Sequence, residues 1–365
     1  MKVIFIITSL KNSGGTERVI TMLANRFCDN NEVTIISLEK SSVFFEIDPR
    51  VSVIQLGGGK AKCWFKIRKI LAKSDCDVVI GASLKLLNLF VSSIFISLLN
   101  RPKVVKIAAE HISFESAGNT INLFKKIFYK VFNHVVVLTE HDKNVMTSRG
   151  FNNVSVIRNP SPFIMTNKSF TSSSVEANEK SVLAVGRLTF QKGFDRLIDI
   201  WSGLDSKIRQ GWSLNIVGSG DDYDELTEQI KKLNIADSVN IITPTQNIAD
   251  YYKKSDIYVM TSRFEGLPMV LIEAKSFSLP CIAYGCKTGP SELIRDGWDG
   301  YLIADGNAEQ FKIYLEKIMI DTDLRLFMSE NSGKSAASYD ISKIEKDWQT
   351  IIKSSFDGLD NSCLR

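Results

Sequence analysis

The chain has 365 residues, of which 44% are hydrophobic and 24% are charged, with 22 glycines and only 8 prolines. This length and balance fit about two folded domains and exclude disordered, collagen-like and disulfide-scaffold proteins. The formal net charge of +4 is too small to indicate nucleic-acid binding by itself.

Charge is spread unevenly along the chain. Residues 1–165 contain 22 Lys and Arg against 12 Asp and Glu, whereas residues 166–365 contain 23 against 29. A basic half joined to an acidic half indicates that one half meets an anionic surface or ligand. An ordinary solvated surface would give the same asymmetry, so both interpretations stay open.

The sequence has neither a disulfide pattern nor a metal-binding pattern. The six cysteines show no CxxC pair and no metal-type spacing to the three histidines (Cys28, Cys63, Cys76, Cys281, Cys286 and Cys363; His111, His134 and His141). This predicts a reduced, cytosolic protein without a structural metal. The amino-terminal MKVIFIITSL lacks a small-residue cleavage site and predicts a first β-strand rather than a signal peptide.

Short β-branched runs alternate with amphipathic helical patterns in the first half of the chain. A helix is predicted over Thr16–Phe27, and seven strands over Lys2–Ile7, Glu32–Ser37, Val51–Leu56, Cys76–Ala82, Lys103–Ala109, His134–Leu138 and Val154–Ile157. The most apolar stretch, Leu86–Leu99, is shorter than the ~20 residues that span a bilayer. It predicts either a buried core helix or a helix that contacts a membrane.

A polar linker interrupts this alternation at Arg158–Lys180, and the same pattern then starts again. Six more strands are predicted over Ser181–Gly186, Ser213–Val217, Val239–Ile242, Asp256–Thr261, Pro280–Ala283 and Gly300–Ile303. Nearly continuous apolar strands separated by helices indicate parallel sheets covered on both faces. The sequence therefore predicts an α/β protein with two doubly wound Rossmann-like domains, residues 1–165 and 166–340, facing each other across a ligand-binding cleft. A final helix within 341–365 is expected to pack back on the first domain.

Two strand-to-helix turns carry glycines and cations that suit an anionic ligand. The first strand leads into Gly14 and Gly15, whose backbone N–H groups lie beside a positive helix terminus. The strand VLAVGR leads into Gly186 and Arg187, and Lys192 follows in the same loop. Two cations beside a helix terminus suit a diphosphate. A plain tight turn or two solvated charges would also explain either turn taken alone.

The sharpest motif is RFEGLPMVLIE, which places Glu265 in a loop and Glu273 inside the helix that Pro268 is predicted to open. The neighbours of Glu273 are apolar, so its carboxylate is expected to be partly buried. A buried carboxylate needs hydrogen-bond donors, and sugar hydroxyls are suitable donors. The acidic run Asp221–Asp224 follows a glycine turn and is explained by a helix start rather than by a metal.

Five segments together resemble a known family: SLKNSGGTERVITMLAN, AVGRLTFQKGFDRLI, NIVGSGDDYDEL, DIYVMTSRFEGLPMVLIEA and CKTGPSELIRDGWDGYLI. In this order and spacing they resemble the retaining glycosyltransferases of family 4, which have the GT-B fold. The resemblance extends over nearly the whole chain. It implies an enzyme that transfers a hexose or N-acetylhexosamine from a nucleotide sugar, with no cofactor and no metal.

The resemblance also implies roles for individual residues. Arg187 and Lys192 would bind the donor's diphosphate, Glu265 would contact the transferred sugar and Glu273 would hold the ribose hydroxyls. His111, which follows the strand VVKIAA, would lie near the transferred sugar and is counted with Arg187, Lys192 and Glu265 as catalytic. The donor-binding set is completed by six further residues and the amino-terminal glycines (Gly14, Gly15, Gly186, Gly218, Thr245, Gly266, Leu267 and Pro268).

Two basic, aromatic helical segments point to the acceptor side. They are Lys62–Lys73, with Trp64, and Leu123–Phe132, with Phe124 and Phe128. Apolar residues at helical spacing opposite lysines suit the interface of an anionic membrane, and a core-packed helix with a solvated basic face would read the same way. We therefore expect a peripheral protein on the cytoplasmic face of the plasma membrane that glycosylates a polyprenyl-diphosphate-linked or other lipid-linked glycan, with no nucleic-acid partner.

The sequence leaves alternatives open for both the donor and the reaction class. The CKTGPSEL run resembles relatives that use UDP-hexoses or UDP-N-acetylhexosamines, which favours UDP-GalNAc, UDP-GlcNAc or UDP-Gal in bacterial surface polysaccharide synthesis, including O-antigen. GDP-mannose is the alternative donor. A sugar-nucleotide 2-epimerase shares the two-domain fold and is the alternative enzyme, and a non-catalytic lectin-like protein is the third hypothesis.

Overall fold

The structure is a computed structural model, and it describes residues 1–11, 14–82, 103–111, 129, 132–163, 180–245 and 247–362. The chain divides into two compact units. Unit 1 comprises Met1–Pro162 with Ile341–Arg365, and unit 2 comprises Phe163–Asp340. The predicted boundary after residue 165, most of the predicted linker and the apolar stretch Leu86–Leu99 lie outside the described residues.

Unit 1 is built on a seven-stranded parallel sheet with the order β3-β2-β1-β4-β5-β6-β7. Its strands are β1 Lys2–Ile7, β2 Glu32–Ser37, β3 Ser52–Gln55, β4 Val78–Ala82, β5 Val105–Ala109, β6 His134–Val137 and β7 Val154–Val156. In the centre, Phe5 of β1 lies beside Ile35 of β2 and Ile80 of β4, and all three are fully buried. These strands are apolar along their length because helices cover both faces of the sheet.

The described helices of the first part of unit 1 are α1 Gly15–Phe27, α2 Lys60–Lys73 and α3 Glu140–Ser148. Helix α1 turns Ile20, Leu23 and Phe27 into the core. Helix α3 begins at Thr139, whose hydroxyl accepts the backbone N–H of Asp142 at 3.0 Å. This is a standard N-cap, and it explains why the helix begins directly after β6.

Unit 2 repeats the architecture with a six-stranded parallel sheet in the order β10-β9-β8-β11-β12-β13. Its strands are β8 Lys180–Val185, β9 Trp212–Val217, β10 Val239–Ile242, β11 Ile257–Met260, β12 Cys281–Tyr284 and β13 Gly300–Ile303. From β8 the chain continues outward in one direction through its neighbour β9. On the other side of β8 lies β11, from which the later strands continue in the opposite direction. The carboxyl ends of β8 and β11 therefore flank a topological switch point, where open α/β sheets bind ligands.

The described part of unit 2 has eight α-helices: α4 Phe194–Ser202, α5 Ser206–Arg209, α6 Tyr223–Lys232, α7 Ile248–Lys254, α8 Met269–Ser276, α9 Pro290–Leu293, α10 Ala308–Ile320 and α11 Thr322–Ala336. The first six connect strands, and the last two follow β13. Pro268 is the N-cap of α8 rather than its first residue. The core between these helices and the sheet is apolar and includes the fully buried Trp201, Leu214 and Phe311.

The last helix, α12 Ile341–Ser362, belongs to unit 1. It packs on α1, and the Arg26 guanidinium donates to the Glu345 carboxylate at 2.7 Å. Trp348 of α12 is only 3% exposed. The chain thus leaves unit 1 to form unit 2 and returns to unit 1 at its end.

Five cysteines fall within the described residues, and all five are buried free thiols (Cys28, Cys63, Cys76, Cys281 and Cys286). Cys363 lies outside them. In the same described ranges, no helix combines the length and the apolar character that a membrane crossing requires. No group of three or more His, Cys, Asp or Glu side chains there is arranged to hold a metal ion.

Candidate active site

Two loops of unit 2 meet at the switch point. The first, residues 186–193, follows β8, and the second, residues 261–268, follows β11. Gly193 fits between them with φ +66°, and a Cβ at this position would lie 2.3 Å from the carbonyl oxygen of Thr261. Only glycine tolerates both the left-handed backbone and this close approach, so the sequence QKGF fixes how closely the loops pack.

Lys192 and Glu265, one from each loop, form an ion pair. The Lys192 Nζ lies 2.6 Å from the Glu265 Oε1, and the two side chains are only 15% and 8% exposed. The Ser262 hydroxyl donates to the same carboxylate oxygen at 2.7 Å. The two side chains that the sequence singled out from separate motifs are thus brought together, with the ammonium group held in place at the carboxyl edge of the sheet.

Gly186 and Gly218 leave room for the lysine and for the loops behind it. A Cβ on Gly186 would lie 3.2 Å from the Lys192 side chain, and a Cβ on Gly218 would lie 1.9 Å from the carbonyl oxygen of Gly186. Both residues were predicted to contact the donor. The structure gives them a packing role as well, because any side chain here would displace the loop that carries Lys192.

Arg187 is the freest cation of the described site. Its side chain is exposed and is held only by a long hydrogen bond of 3.4 Å from Nη2 to the Gln191 amide oxygen. Gln191 in turn donates to the carbonyl oxygen of Phe264 at 3.0 Å. Because the guanidinium group has only this one long hydrogen bond to the described residues, it is available to an anionic ligand at the same edge of the sheet as Lys192.

Glu273 lies on α8 and is 4% exposed. The Tyr252 hydroxyl donates to its Oε2 at 2.8 Å, so the buried carboxylate already has a protein donor on that oxygen. Leu267 and Pro268, which precede the helix, are buried, and Gly266 is half-buried. The structure thus confirms that Glu273 is buried, and it adds Tyr252 as a hydrogen-bond donor that no sequence pattern indicated.

Thr245 lies on a third loop of unit 2, next to an edge strand of the sheet. It follows β10, is exposed, and its hydroxyl accepts the backbone N–H of Asn247 at 3.0 Å. The loop therefore bends back on itself, as a side-chain turn does. Among the described residues, no hydrogen bond joins Thr245 to Lys192 or Glu265.

The Cys286 thiol lies close enough to the Lys192–Glu265 ion pair for the charges of the pair to affect its pKa. Burial first, and the Glu265 carboxylate second, raise the pKa of its thiol to about 12. A thiol with this pKa stays protonated at neutral pH and is a poor nucleophile. We therefore assign no chemical role to Cys286.

The remaining predicted residues belong to unit 1. Gly14 is the N-cap of α1 with an extended backbone, and Gly15 is the first residue of the helix. The carbonyl oxygen of Gly14 accepts the backbone N–H of Arg18 at 3.1 Å. Asn12 and Ser13, which precede them, lie outside the described residues.

His111 follows β5 and lines a small cavity at the carboxyl ends of β5, β6 and β7, together with Asn159 and Trp348. Both ring nitrogens are buried and lack a hydrogen bond of normal geometry to the described residues, and the residue as a whole is half-buried. Burial lowers the pKa of His111 to about 4, against a smaller upward effect of the Asn159 side chain. The imidazole is therefore neutral at physiological pH.

This burial makes unit 1 sensitive to acid. The pKa of His111 is about 4 when folded, against 6.5 as the ordinary value. The unfolded chain therefore binds more protons between these values, and stability is lost as the pH falls from 6.5 to 4. We expect the His111→Gln variant to lose less stability than the parent over this range, by up to about 3 kcal/mol. Urea unfolding at pH 7 and pH 4.5 measures the difference, and equal losses in both proteins would contradict it.

Several residues that build the site carry no sequence signal for that role. Tyr252 and Ser262 hold the two glutamates, and Arg263 and Asp195 join the two loops through paired hydrogen bonds of 2.8 and 2.5 Å. Arg263 is the first residue of the RFEGLPMVLIE motif and Ser262 directly precedes it, so their proximity to Glu265 is evident from the sequence. The contacts of Tyr252 and Asp195 depend on tertiary structure alone.

Comparisons with known proteins identify the family to which the chain belongs. The profile of the family described as "Glycosyl transferases group 1" matches residues 166–335. The amylovoran biosynthesis glycosyltransferase AmsD of Erwinia amylovora is 38% identical over 355 residues, which cover 96% of this chain and 99% of the relative. A Campylobacter jejuni α-1,4-N-acetyl-D-galactosaminyltransferase, named for a GalNAc-GalNAc-diNAcBac-PP-undecaprenol acceptor, is 29% identical over 364 residues, covering 96% and 98%.

Solved structures agree on the fold. The crystal structure of Anabaena HepE in complex with UDP superimposes with a TM-score of 0.78 over 97% of this chain and 100% of the other, at 18% identity. At that identity the likeness shows the fold alone, and the fold is GT-B. Given the two Rossmann-like sheets, the Lys192–Glu265 site and a relative 38% identical over nearly the full length of both chains, the chain belongs to the group 1 glycosyltransferases.

Proposed function

We propose that this glycosyltransferase transfers a hexose or N-acetylhexosamine from a UDP-sugar to a lipid-linked glycan in bacterial surface polysaccharide synthesis. The observation that carries the proposal is the buried Lys192–Glu265 pair beside the exposed Arg187 at the switch point of unit 2. The named activities of the Erwinia and Campylobacter relatives support the polysaccharide setting and the lipid-linked acceptor. The UDP bound to HepE supports a uridine donor.

The residues of unit 2 suit the departure of a nucleoside diphosphate. During transfer, the bond between the sugar C1 and the diphosphate oxygen breaks, and C1 bonds to an acceptor hydroxyl oxygen. Lys192 and Arg187 would stabilise the negative charge that develops on the leaving oxygen, which is usually the largest catalytic contribution. The acceptor proton would pass to the leaving phosphate, and Glu265 would bind the sugar.

The finer features of the reaction follow from the same assignment. We infer retention of the anomeric configuration, with transfer on the face that the diphosphate leaves. Glu273, held by the Tyr252 hydroxyl, would bind the ribose, and His111 and the Gly14–Gly15 turn would contribute from unit 1. The cations supply the charge stabilisation, so we infer that no metal is needed.

A transfer assay tests the proposal. Purified protein is incubated with detergent-solubilised lipid-linked acceptors and a panel of labelled UDP-sugars and GDP-mannose, with EDTA throughout. Label that passes to lipid from one UDP-sugar, and that is lost in the Glu265→Gln variant, supports donor, reaction class and metal independence together. The anomeric configuration of the product, read by NMR, tests retention. Conversion of the donor to an epimer without an acceptor would instead identify a 2-epimerase.

Helix α2 supplies a surface for the lipid side of the proposal. Cys63, Ile67 and Leu71, spaced four residues apart, pack into the core of unit 1. The opposite face carries the exposed Phe65 and the basic side chains of Lys62, Lys66, Arg68, Lys69 and Lys73. No acidic residue lies on the helix. We infer that this face binds anionic lipid on the cytoplasmic side of the plasma membrane, as basic surfaces beside membranes do.

The structure changes which aromatic residues serve this surface. Trp64 is half-buried and packs against the core, whereas Phe65 is 64% exposed. In the second basic segment, Tyr129 and Phe132 are buried in the core, and Phe124 and Phe128 lie outside the described residues. Phe65 therefore replaces Trp64 as the residue that would enter the headgroup region.

Charge reversal on α2 tests the membrane surface. We expect the Lys62→Glu/Lys69→Glu variant to bind vesicles containing phosphatidylglycerol at least about tenfold more weakly, since each basic residue near an anionic surface contributes about 1 kcal/mol. Vesicle co-sedimentation at low salt measures binding. The matched control, Lys231→Glu/Lys232→Glu on the exposed end of α6, makes the same charge change in unit 2. Equal weakening in both variants would refute a specific surface on α2.

A further inference from the structure

Arg263 makes more contacts than any other residue described above at the junction of the two site loops. Its Nη1 donates to the Phe190 carbonyl oxygen and to the Asp195 Oδ1, each at 2.8 Å, and its Nη2 donates to the Asp195 Oδ2. Its backbone N–H donates to the Gln191 carbonyl oxygen at 2.8 Å. The guanidinium carbon also lies 3.9 Å from the centre of the Phe190 ring. The Arg263 side chain thus contacts the loop that carries Lys192 at Phe190 and the start of α4 at Asp195, and its backbone N–H contacts the loop at Gln191.

In the sequence, these contacts lie beside each member of the ion pair. Gln191 precedes Lys192, and Arg263 stands two residues before Glu265. The Gln191 amide donates to the carbonyl oxygen of Phe264, which closes the same junction from the other direction. The loop positions of Lys192 and Glu265 are therefore set by neighbours that Arg263 fixes.

The chemistry of arginine suits this task. Its planar guanidinium forms the two parallel hydrogen bonds to the Asp195 carboxylate and still reaches a carbonyl oxygen. Partial burial is the largest single influence and raises the pKa of Asp195, but the hydrogen bonds and charge of Arg263, together with the backbone N–H groups of Arg196 and Asp195, bring it below its ordinary value. The pair is therefore ionised over the physiological pH range, and the junction keeps its geometry there.

We propose that Arg263 is a positioning residue for the transfer reaction: by joining the loops after β8 and β11, it sets the geometry in which the Lys192 ammonium meets the leaving diphosphate. The role of Lys192 at the leaving diphosphate rests on the proposed function. The positioning of Lys192 by Arg263 rests on the geometry of unit 2. Arg263 need not touch the substrate for this role. Its loss would change the rate of transfer more than the binding of the donor, because transition-state stabilisation depends on sub-ångström placement.

The test compares Arg263→Ala with the parent enzyme in the transfer assay. We expect kcat to fall about 30-fold, equivalent to about 2 kcal/mol, with the donor KM and the affinity for UDP changed by less than about threefold. Arg263→Lys keeps the charge but loses the two-pronged contact, so its kcat is expected to fall about tenfold. Arg209→Ala is the matched control, since Arg209 binds two carbonyl oxygens of unit 2 at Trp201 and Ser202 and touches neither loop.

A second measurement does not depend on activity. Hydrogen exchange of the backbone amides of Lys192, Arg263 and Glu265 is expected to be at least fivefold faster in Arg263→Ala, with unit 1 unchanged. Parent-like kcat in both Arg263 variants would overturn the inference, as would an activity loss fully explained by a lower thermal midpoint. If Arg263→Ala does not fold, Arg263→Lys decides the question. If the parent transfers no sugar from any donor, the proposed function fails, while exchange still tests the positioning.

Discussion

Replacing Lys192 with methionine is expected to lower kcat for sugar transfer about 100- to 1,000-fold, the range found when one preorganised donor to a developing oxyanion is removed. The Lys192 side chain is only 15% exposed and its Nζ lies 2.6 Å from the Glu265 carboxylate, so its charge is already in position before the leaving group develops negative charge. The donor KM should rise less than kcat falls, because the lysine acts most strongly on the charge that forms as the diphosphate leaves.

The same substitution removes the partner of a carboxylate that is 8% exposed, so folding and catalysis must be measured separately. A thermal unfolding profile of each variant does this, and Lys192→Met/Glu265→Gln removes both charges at once. Lys334→Met is the control, since it breaks an exposed pair with Glu330 at 2.7 Å on α11. A Lys192→Met enzyme that is folded and retains a third or more of the parental kcat would contradict the assignment.

The second large effect concerns stability rather than catalysis. Lys275 of α8 is fully buried and pairs with Asp299, which is 2% exposed, and the Lys275 Nζ lies 3.0 Å from the Ser335 hydroxyl. Replacement of Lys275 by methionine leaves the aspartate buried without its cation. We expect the free energy of unfolding to fall by about 3–5 kcal/mol, as for other buried ion pairs that lose one partner.

Urea unfolding of the full chain at pH 7 measures this loss. The double variant Lys275→Met/Asp299→Asn is expected to recover most of it, since removing both charges also removes the desolvated carboxylate. Lys312→Met breaks a surface pair with Glu309 and should cost less than about 1 kcal/mol. If Lys275→Met and Lys312→Met have the same stability, the buried pair does not hold unit 2 together as described.

Strand positions were predictable because the parallel sheets leave a simple pattern. KVIFII is apolar at five of its six positions and EVTIIS is rich in β-branched residues, and the strands observed there have the predicted bounds. β10 and β13 also have the predicted bounds, and the other nine strands differ from the prediction by a residue or two at one or both ends; the predicted Cys76–Ala82 is observed as Val78–Ala82. Those ends depend on hydrogen bonds to a neighbouring strand, which a single sequence does not show.

The candidate site was predictable only in part, for a related reason. Glu265 and Lys192 stand in motifs with glycine and proline at informative positions, so each was found, and their direct contact follows from the adjacency of β8 and β11. The buried pair of Lys275 with Asp299 was not foreseen. A lysine in a helix is normally exposed, and its burial depends on a partner 24 residues later.

The return of the chain to unit 1 through α12 also determines the order in which the two units can be completed during synthesis. Residues Phe163–Asp340 supply the whole of unit 2 in one continuous stretch, whereas unit 1 needs Ile341–Arg365 as well. A ribosome therefore releases every residue of unit 2 while the α1 face that Trp348 and Glu345 later cover is still open. The unit that begins first is the last to be finished, and a nascent chain stopped near Asp340 would carry a complete unit 2 beside an unfinished unit 1.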